Sequence, residues 1–425
     1  MTEVTGLRQI TILDWQENAR DLPAAVRQLE QRLEVEEPRI RALVPEPHRS
    51  ERLLSECANL PLGPLRGVPI GVKDIFQVEG LPTRAGSRLP ADELGGPEAD
   101  SVQALRRAGG LVLGKTISTE FAYFAPGPTR NPHDPRHTPG GSSSGSAAAV
   151  AAGYCPLALG TQTIGSISRP ASYCGVVGYK PTYGRISTAG VIPLSPSLDH
   201  VGTFTASVPD AAIVAALLCA GWKEAKPDHR PVLAIPSGPF LERATDTGRR
   251  HFEVVCEALA AAAWEVREIQ TFPDIDDIQA RHQLILAGEA ATVHEKWYPR
   301  FQDLYHPKTR QLVERGREIS SATLAETLPS CERLREELLQ SMSQHQIDLW
   351  ISPAATGPAP EGLDSTGDPI MSLPWTHAGL PTLSLPSGTL DSGLPMGLQI
   401  AAGWGRDEFL LNWATDLEAA LAGLS

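Results

Sequence analysis

The sequence has no C-x-x-C pair. Its six cysteines, Cys57, Cys155, Cys174, Cys219, Cys256 and Cys331, are scattered, and most lie in apolar runs such as Ala-Leu-Leu-Cys219-Ala. That pattern predicts buried free thiols in a reducing compartment rather than a disulfide framework. No apolar run approaches the roughly 18 residues of a membrane span. The opening MTEVTGLRQITILDW has neither a basic n-region nor an apolar h-region, so no signal peptide is expected. Positive charge is also in short supply: 37 Lys and Arg face 50 Asp and Glu, for a net charge of −13. That balance argues against a nucleic-acid or anionic membrane surface and leaves small substrates open. Internal repeats and low-complexity tracts are absent. The expected location is the cytoplasm.

What is present is ordinary globular material, 41% hydrophobic and 20% charged over 425 residues. Length alone suggests two or three domains, although single large α/β domains of this size exist.

The stretch from Thr138 to Gly184 organises the rest. A Gly/Ser loop, Gly140-Gly141-Ser142-Ser143-Ser144-Gly145-Ser146, opens it, and a run of small residues from Ala147 to Gly153 follows. A second polar turn, Gly160-Thr161-Gln162-Thr163-Ile164-Gly165-Ser166, leads to Arg169-Pro170. Gly/Ser segments are usually linkers. A linker would not run straight into Ala-Ala-Ala-Val-Ala-Ala-Gly and an apolar strand, because such residues want burial. Two serine-bearing loops joined by a close-packing segment suit acyl transfer, in which main-chain N–H groups hold a developing oxyanion.

These residues closely resemble the signature of the amidase signature family of serine hydrolases. The family pattern is GGSSGGS, a run of small residues, then GTDTGGS with Arg and Pro soon after. The branch with GGSSSGS and GTQTxGSxxRP, which includes malonamidase, is the most similar. The resemblance implies one large α/β domain with a mixed, mostly parallel central sheet covered by helices on both faces. It spans residues 61–425, with residues 1–60 as an N-terminal helical arm and residues 221–345 as a variable helical region over the site.

The chain outside the signature fits that outline. Apolar residues recur at helical spacing from Asp21 to Leu33, Arg39 to Val44 reads as extended, and Ser50 to Leu60 reads as a helix capped by Ser50. Gly67 to Phe76 is an apolar strand carrying Lys73. Apolar neighbours would favour the neutral amine and make Lys73 a base near neutral pH, and the family's catalytic Lys falls in this motif. Lys115, in the strand Gly110–Thr116, is a rival better suited to a surface or supporting role. His133, Asp134 and His137 invite a metal or a Ser-His-Asp triad. A Pro-rich turn does not fix that geometry, no partner His lies in the second turn, and the family uses neither; bracing the loop is the expected role. Asp199 is expected to anchor a core turn. Val232–Pro236 and Trp264–Ile269, joined by a helix from His251 to Ala263, read as a parallel strand–helix–strand unit. Longer helices are expected over Asp277–Tyr298 and Thr323–His345, and a final one over Leu410–Leu424.

The resemblance assigns a Ser–cis-Ser–Lys relay to Ser166, Ser142 and Lys73. Ser166 is the nucleophile and Ser142 passes its proton to neutral Lys73. The backbone N–H groups of Thr163, Ile164, Gly165 and Ser166 form the oxyanion hole, and Ser144 and Thr161 are candidates to hydrogen-bond the relay or the substrate, with loop bracing as the alternative for each. In the malonamidase branch the Arg matching Arg169 holds a free carboxylate on the substrate, a match for a guanidinium fork; the alternative is an Arg paired with an internal acid. No cofactor or metal is implied, the partner is a small-molecule amide, and homodimers are common in the family. Two positions depart from the pattern. Ile164 replaces a Gly, which means strain if that position needs φ > 0 and a narrowed pocket otherwise. Ser168 replaces an apolar residue.

The leading expectation is an amidase that hydrolyses a small carboxylate-bearing amide, such as malonamate, to acid and ammonia. A general or ureido-amide (biuret- or allophanate-type) amidase is a second reading. The amidase component of a transamidation complex is a third, opposed by Gln162 in place of Asp and by the absence of a basic tail. A catalytically impaired amide-binding homologue is a fourth, favoured only by Ile164.

Overall fold

In the strand Leu111–Thr116, Leu111 and Leu113 enter one apolar core and Val112 the other; in Leu157–Gln162, Ala158 joins the first core, and Leu157 and Leu159 the second. This two-residue alternation is what a pleated strand imposes when both faces of a sheet are covered. The computed structural model describes residues 9–424; positions 1–8 of the expected N-terminal arm, and residue 425, lie outside the described residues.

The strands are β1 (Pro69–Lys73), β2 (Leu111–Thr116), β3 (Leu157–Gln162), β4 (Val177–Lys180), β5 (His200–Thr205), β6 (Leu233–Ser237), β7 (Val266–Gln270), β8 (Leu349–Pro353), β9 (Thr382–Thr389) and β10 (Pro395–Ala402). They form one sheet in the order β2-β1-β3-β5-β4-β9-β10-β8-β6-β7. The sheet is mixed, as expected, but parallel pairing is confined to its flanks. β2-β1-β3 and β8-β6-β7 are parallel, and every pair between β3 and β8 is antiparallel. The predicted strand–helix–strand unit is β6, the helix Asp246–Ala261 and β7, paired in parallel.

One face carries the helices Leu22–Ile40, Ser144–Ala151 and Ser168–Cys174; their buried side chains Val26, Leu29, Ala147, Val150, Ala171 and Cys174 share one core. The other face is covered by Asp100–Arg107, Val208–Leu218 and Asp407–Leu421, through Val102, Val214 and Leu417 among others. Helices Ile275–Val293, Pro307–Arg317 and Ser330–Gln344 add to that second core.

Several local expectations need correction. Arg39 and Ile40 are helical, because the helix begun at Leu22 runs through Pro38 and stops only where Arg41 turns left-handed at φ 55°. The next helix starts at Arg49 after a left-handed His48, and no side chain caps it, so Ser50 is inside the helix. The long helix predicted over Thr323–His345 is two, Ser321–Thr327 and Ser330–Gln344, with Pro329 between them. All six cysteines are free, and among the described residues no helix is long and apolar enough to cross a membrane.

Candidate active site

Three pieces of backbone converge at the ends of β1 and β3. Lys73 closes β1. The loop Thr138–Ser143 leads into the helix Ser144–Ala151, every residue of which is buried. The turn Thr163–Ile167 links β3 to the helix Ser168–Cys174. A glycine of the Gly/Ser loop lets this happen: a Cβ on Gly145 would lie 2.1 Å from the Ala42 carbonyl oxygen and 2.4 Å from the Ile117 nitrogen. Gly140 takes φ +81°, a conformation open to glycine. The Gly141–Ser142 peptide is cis.

Lys73 is fully buried. Its Nζ lies 2.8 Å from Ser142 Oγ and 2.7 Å from Thr161 Oγ1. Burial pushes its pKa down to about 7, against the field of the Asp199 carboxylate, which acts in the opposite direction. Asp199 is itself raised to about 6 by burial. It accepts from the Thr163 hydroxyl at 2.5 Å and from the N–H groups of Leu194 and Ser195 at 2.8 and 3.0 Å. It therefore ties the turn at Thr163 to the loop that walls the site.

Ser166 and Ser142 line one cavity with Ala122, Tyr123, Phe124, Thr163, Ile164, Gly165, Arg169, Leu194 and Pro369. The Ser166 hydroxyl makes no hydrogen bond among the described residues, so Lys73 and Ser142 are joined while Ser166 shares only the cavity wall with Ser142. The cavity is about 10 Å³, room for about one water molecule. Ile164 is not among the residues with positive φ. The strain alternative therefore falls, and its side chain is a wall of the cavity. Ser168 is fully buried, and its hydroxyl has no partner among the described residues.

Arg169 is 2% exposed. It donates to the carbonyls of Gly367 at 2.8 Å and Gly141 at 2.7 Å, and to Thr366 Oγ1 at 3.1 Å. Its Nε–H is buried with no partner, and it forms no ion pair with a carboxylate among the described residues. Burial lowers its pKa to about 10 while Tyr173 and Asp368 act in the opposite direction. The guanidinium thus braces the peptide preceding Ser142 and borders the cavity with no carboxylate at ion-pair distance among the described residues, Asp368 acting on it only from farther away.

The remaining sequence candidates fall as follows. Ser144 donates to the Gly140 carbonyl at 2.7 Å, within its own loop. Lys115 is not on the surface: it is 4% exposed and ion-paired with Asp74 at 2.9 Å. His133 pairs with the Cys174 carbonyl at 2.9 Å, and Asp134 pairs with Arg136 and, at 3.3 Å, with His137, all away from the serines.

Sequence reasoning missed Gln162 and Thr376 as supports of the turn. The Gln162 carbonyl accepts from the N–H groups of Ile167 and Ser168 at 2.7 and 2.9 Å, and its amide donates to Thr376 Oγ1 at 2.9 Å. Thr376 in turn lies within donating distance of the Ile164 carbonyl, at 2.7 Å. The Gln in the motif was a visible signal. Its partner, more than two hundred positions away, was not.

Comparison with known proteins identifies the family. The family model described as Amidase matches residues 26–411. A glutamyl-tRNA(Gln) amidotransferase subunit from Thermus thermophilus is 33% identical over 429 residues, covering 88% of this chain and 89% of its own. The protein of the same name from Akkermansia muciniphila is 32% identical over 403 residues, covering 82% and 86%. A solved structure described as an amidase superposes with a TM-score of 0.87 at 33% identity, covering 97% of this chain and 100% of its own. The chain belongs to the amidase signature family and is an amidohydrolase acting on C–N amide bonds.

Proposed function

We propose that the protein hydrolyses a small amide bearing a free carboxylate, of the malonamate type, to the acid and ammonia. The observation that carries the carboxylate preference is Arg169, a buried guanidinium on the wall of the serine cavity with no carboxylate at ion-pair distance among the described residues. A buried cation in that state is costly, and a substrate carboxylate would relieve it.

The mechanism follows from the residues. Neutral Lys73 takes the Ser142 proton as Ser142 takes that of Ser166, and Ser166 Oγ attacks the amide carbon. The backbone N–H groups of Thr163, Ile164, Gly165 and Ser166 receive the oxyanion. The proton returns through Ser142 to the leaving nitrogen, the C–N bond breaks, and ammonia departs. Water then attacks the acyl-enzyme, and Ser166 leaves as its hydroxyl. Thr161, beside Lys73, orients the amine; Ser144 stiffens the loop. Ile164 holds the acyl pocket small, so that an amide enters only by displacing wall side chains. The helical region 221–345 shapes substrate choice, and residues 9–60 act as a packing arm.

The experiment is ammonia release from malonamate, malonamide, biuret, propionamide and an aryl amide by the natural protein and by Ser166→Ala and Arg169→Ala. Preference for malonamate that Arg169→Ala abolishes supports the reading. Equal turnover of neutral amides, indifferent to Arg169→Ala, makes Arg169 structural and the protein a general or ureido-amide amidase. A second reading rests on the sequence relatives: the two amidotransferase proteins share about a third of their residues with this chain over most of its length. On that reading the chain supplies ammonia within an amidotransferase assembly, and its amide turnover depends on an added partner.

A further inference from the structure

A second cavity, about 200 Å³, is lined by Ile75, Ala122, Thr161, Val191, Ile192, Leu194, Asp199 and His200 among others. Ala122 and Leu194 also line the cavity of the two serines. The two spaces are neighbours across those side chains. No step proposed above uses the larger one.

Its chemistry differs from that of the serine cavity. Ile75, Val191, Ile192, Pro193, Leu194 and Pro196 give it an apolar wall. Its charged group is the carboxylate of Asp199, whereas the serine cavity has the guanidinium of Arg169. His200 Nδ1 lies 2.7 Å from the Leu198 carbonyl, so it carries the proton, and Nε2 is left as an acceptor with no partner among the described residues.

A substrate spanning both spaces would be sorted by charge. An acidic acyl half is drawn to Arg169 and repelled by Asp199. The leaving nitrogen must collect its proton from Ser142, which is backed by Lys73 and Thr161, and Thr161 is part of the second cavity's wall. The amine half therefore belongs on that side. We propose that this cavity is the leaving-group subsite and takes the apolar substituent of an N-substituted amide. An engineered cavity of about 150 Å³ accepts benzene, so a benzylamine-sized group fits. The bond cleaved is still the C–N bond, and the product is a primary amine in place of ammonia. This inference rests on the amidase reading above.

The test is the ratio of kcat/KM for N-benzylmalonamate to that for malonamate, in the natural protein, Val191→Phe and Val191→Ala. Filling the cavity with Val191→Phe should lower the ratio by about tenfold or more, and Val191→Ala should not. A parallel measurement reads protection of Ser166 from a fluorophosphonate by benzylamine, which should be present in the natural protein and lost in Val191→Phe. Melting temperatures confirm that each variant is folded. Cleavage of malonamate with no cleavage of the N-benzyl amide, or a ratio unmoved by Val191→Phe, overturns the subsite and leaves the amidase reading standing. Should no amide be cleaved, the amidase reading fails, and absence of protection by benzylamine overturns the subsite separately.

Discussion

The amide of Gln162 donates to the hydroxyl of Thr376 at 2.9 Å, while its carbonyl accepts from the two backbone N–H groups that follow the nucleophile turn, those of Ile167 and Ser168. Both side chains are buried, at 0% and 1% exposure. The neutral amide donates on one side and accepts on the other, whereas a carboxylate can only accept. Gln162→Glu keeps the size and loses the donor at neutral pH. It should lower kcat more than it changes KM, and part of the activity should return at lower pH, where a protonated Glu can donate again. Steady-state kinetics across pH checks this. Thr376→Val, which leaves the Gln162 amide unpaired, should cost about 1–3 kcal/mol of stability, read by denaturant unfolding.

Lys73 is held near a pKa of about 7 by burial. Below that pH it is an ammonium and cannot accept the Ser142 proton; above it the neutral amine can. The sign is therefore fixed: kcat/KM should rise with pH through about 7 and then level off. A profile that falls over that range would contradict Lys73 as the base.

Removing the base should be more damaging than removing its neighbour. Lys73→Ala should lower kcat by about 10²–10⁴. Thr161→Val, which takes one hydrogen bond from the amine, should cost less and should shift the pH profile. Rapid-quench measurement of acyl-enzyme formation separates these effects from product release.

Arg169→Ala removes the buried cation and also the brace on the Gly141 carbonyl. The loss on a carboxylate-bearing amide should be about 2–5 kcal/mol in transition-state binding, with a smaller loss on a neutral amide of the same size. The difference between the two substrates isolates charge recognition from loop bracing, because the loop supports both.

Ile164, 5% exposed, walls the cavity from a backbone position without positive φ. Ile164→Ala should therefore widen acyl scope toward longer chains, at about 2–5 kcal/mol of stability for the lost packing. Relative rates on malonamate and longer ω-amic acids, with unfolding curves, test both halves.

Much of this arrangement is legible in the sequence because it is local. The Gly/Ser loop, the small-residue helix and the turn ending at Ser166 are contiguous, and Lys73 sits at the end of an apolar strand whose neighbours announce its burial. Local signals also have local failures. Nothing in Arg39–Val44 tells where a helix gives way to a left-handed Arg41, since Pro38 is tolerated inside it. Sheet order was beyond reach. The antiparallel centre of β5, β4, β9 and β10 joins segments more than two hundred residues apart, and apolar strands read alike in either direction. The partners of Arg169 were equally hidden, because Thr366 and Gly367 reach it across the fold.

The most direct test of the central claim is peptide mapping by mass spectrometry after exposure to a fluorophosphonate, with the rate of adduct formation followed against pH. The account predicts a single adduct on Ser166, forming faster as pH rises through about 7 and slowed strongly by Ser142→Ala and Lys73→Ala. An adduct on another residue, or labelling of Ser166 indifferent to Lys73 and to pH, would contradict it.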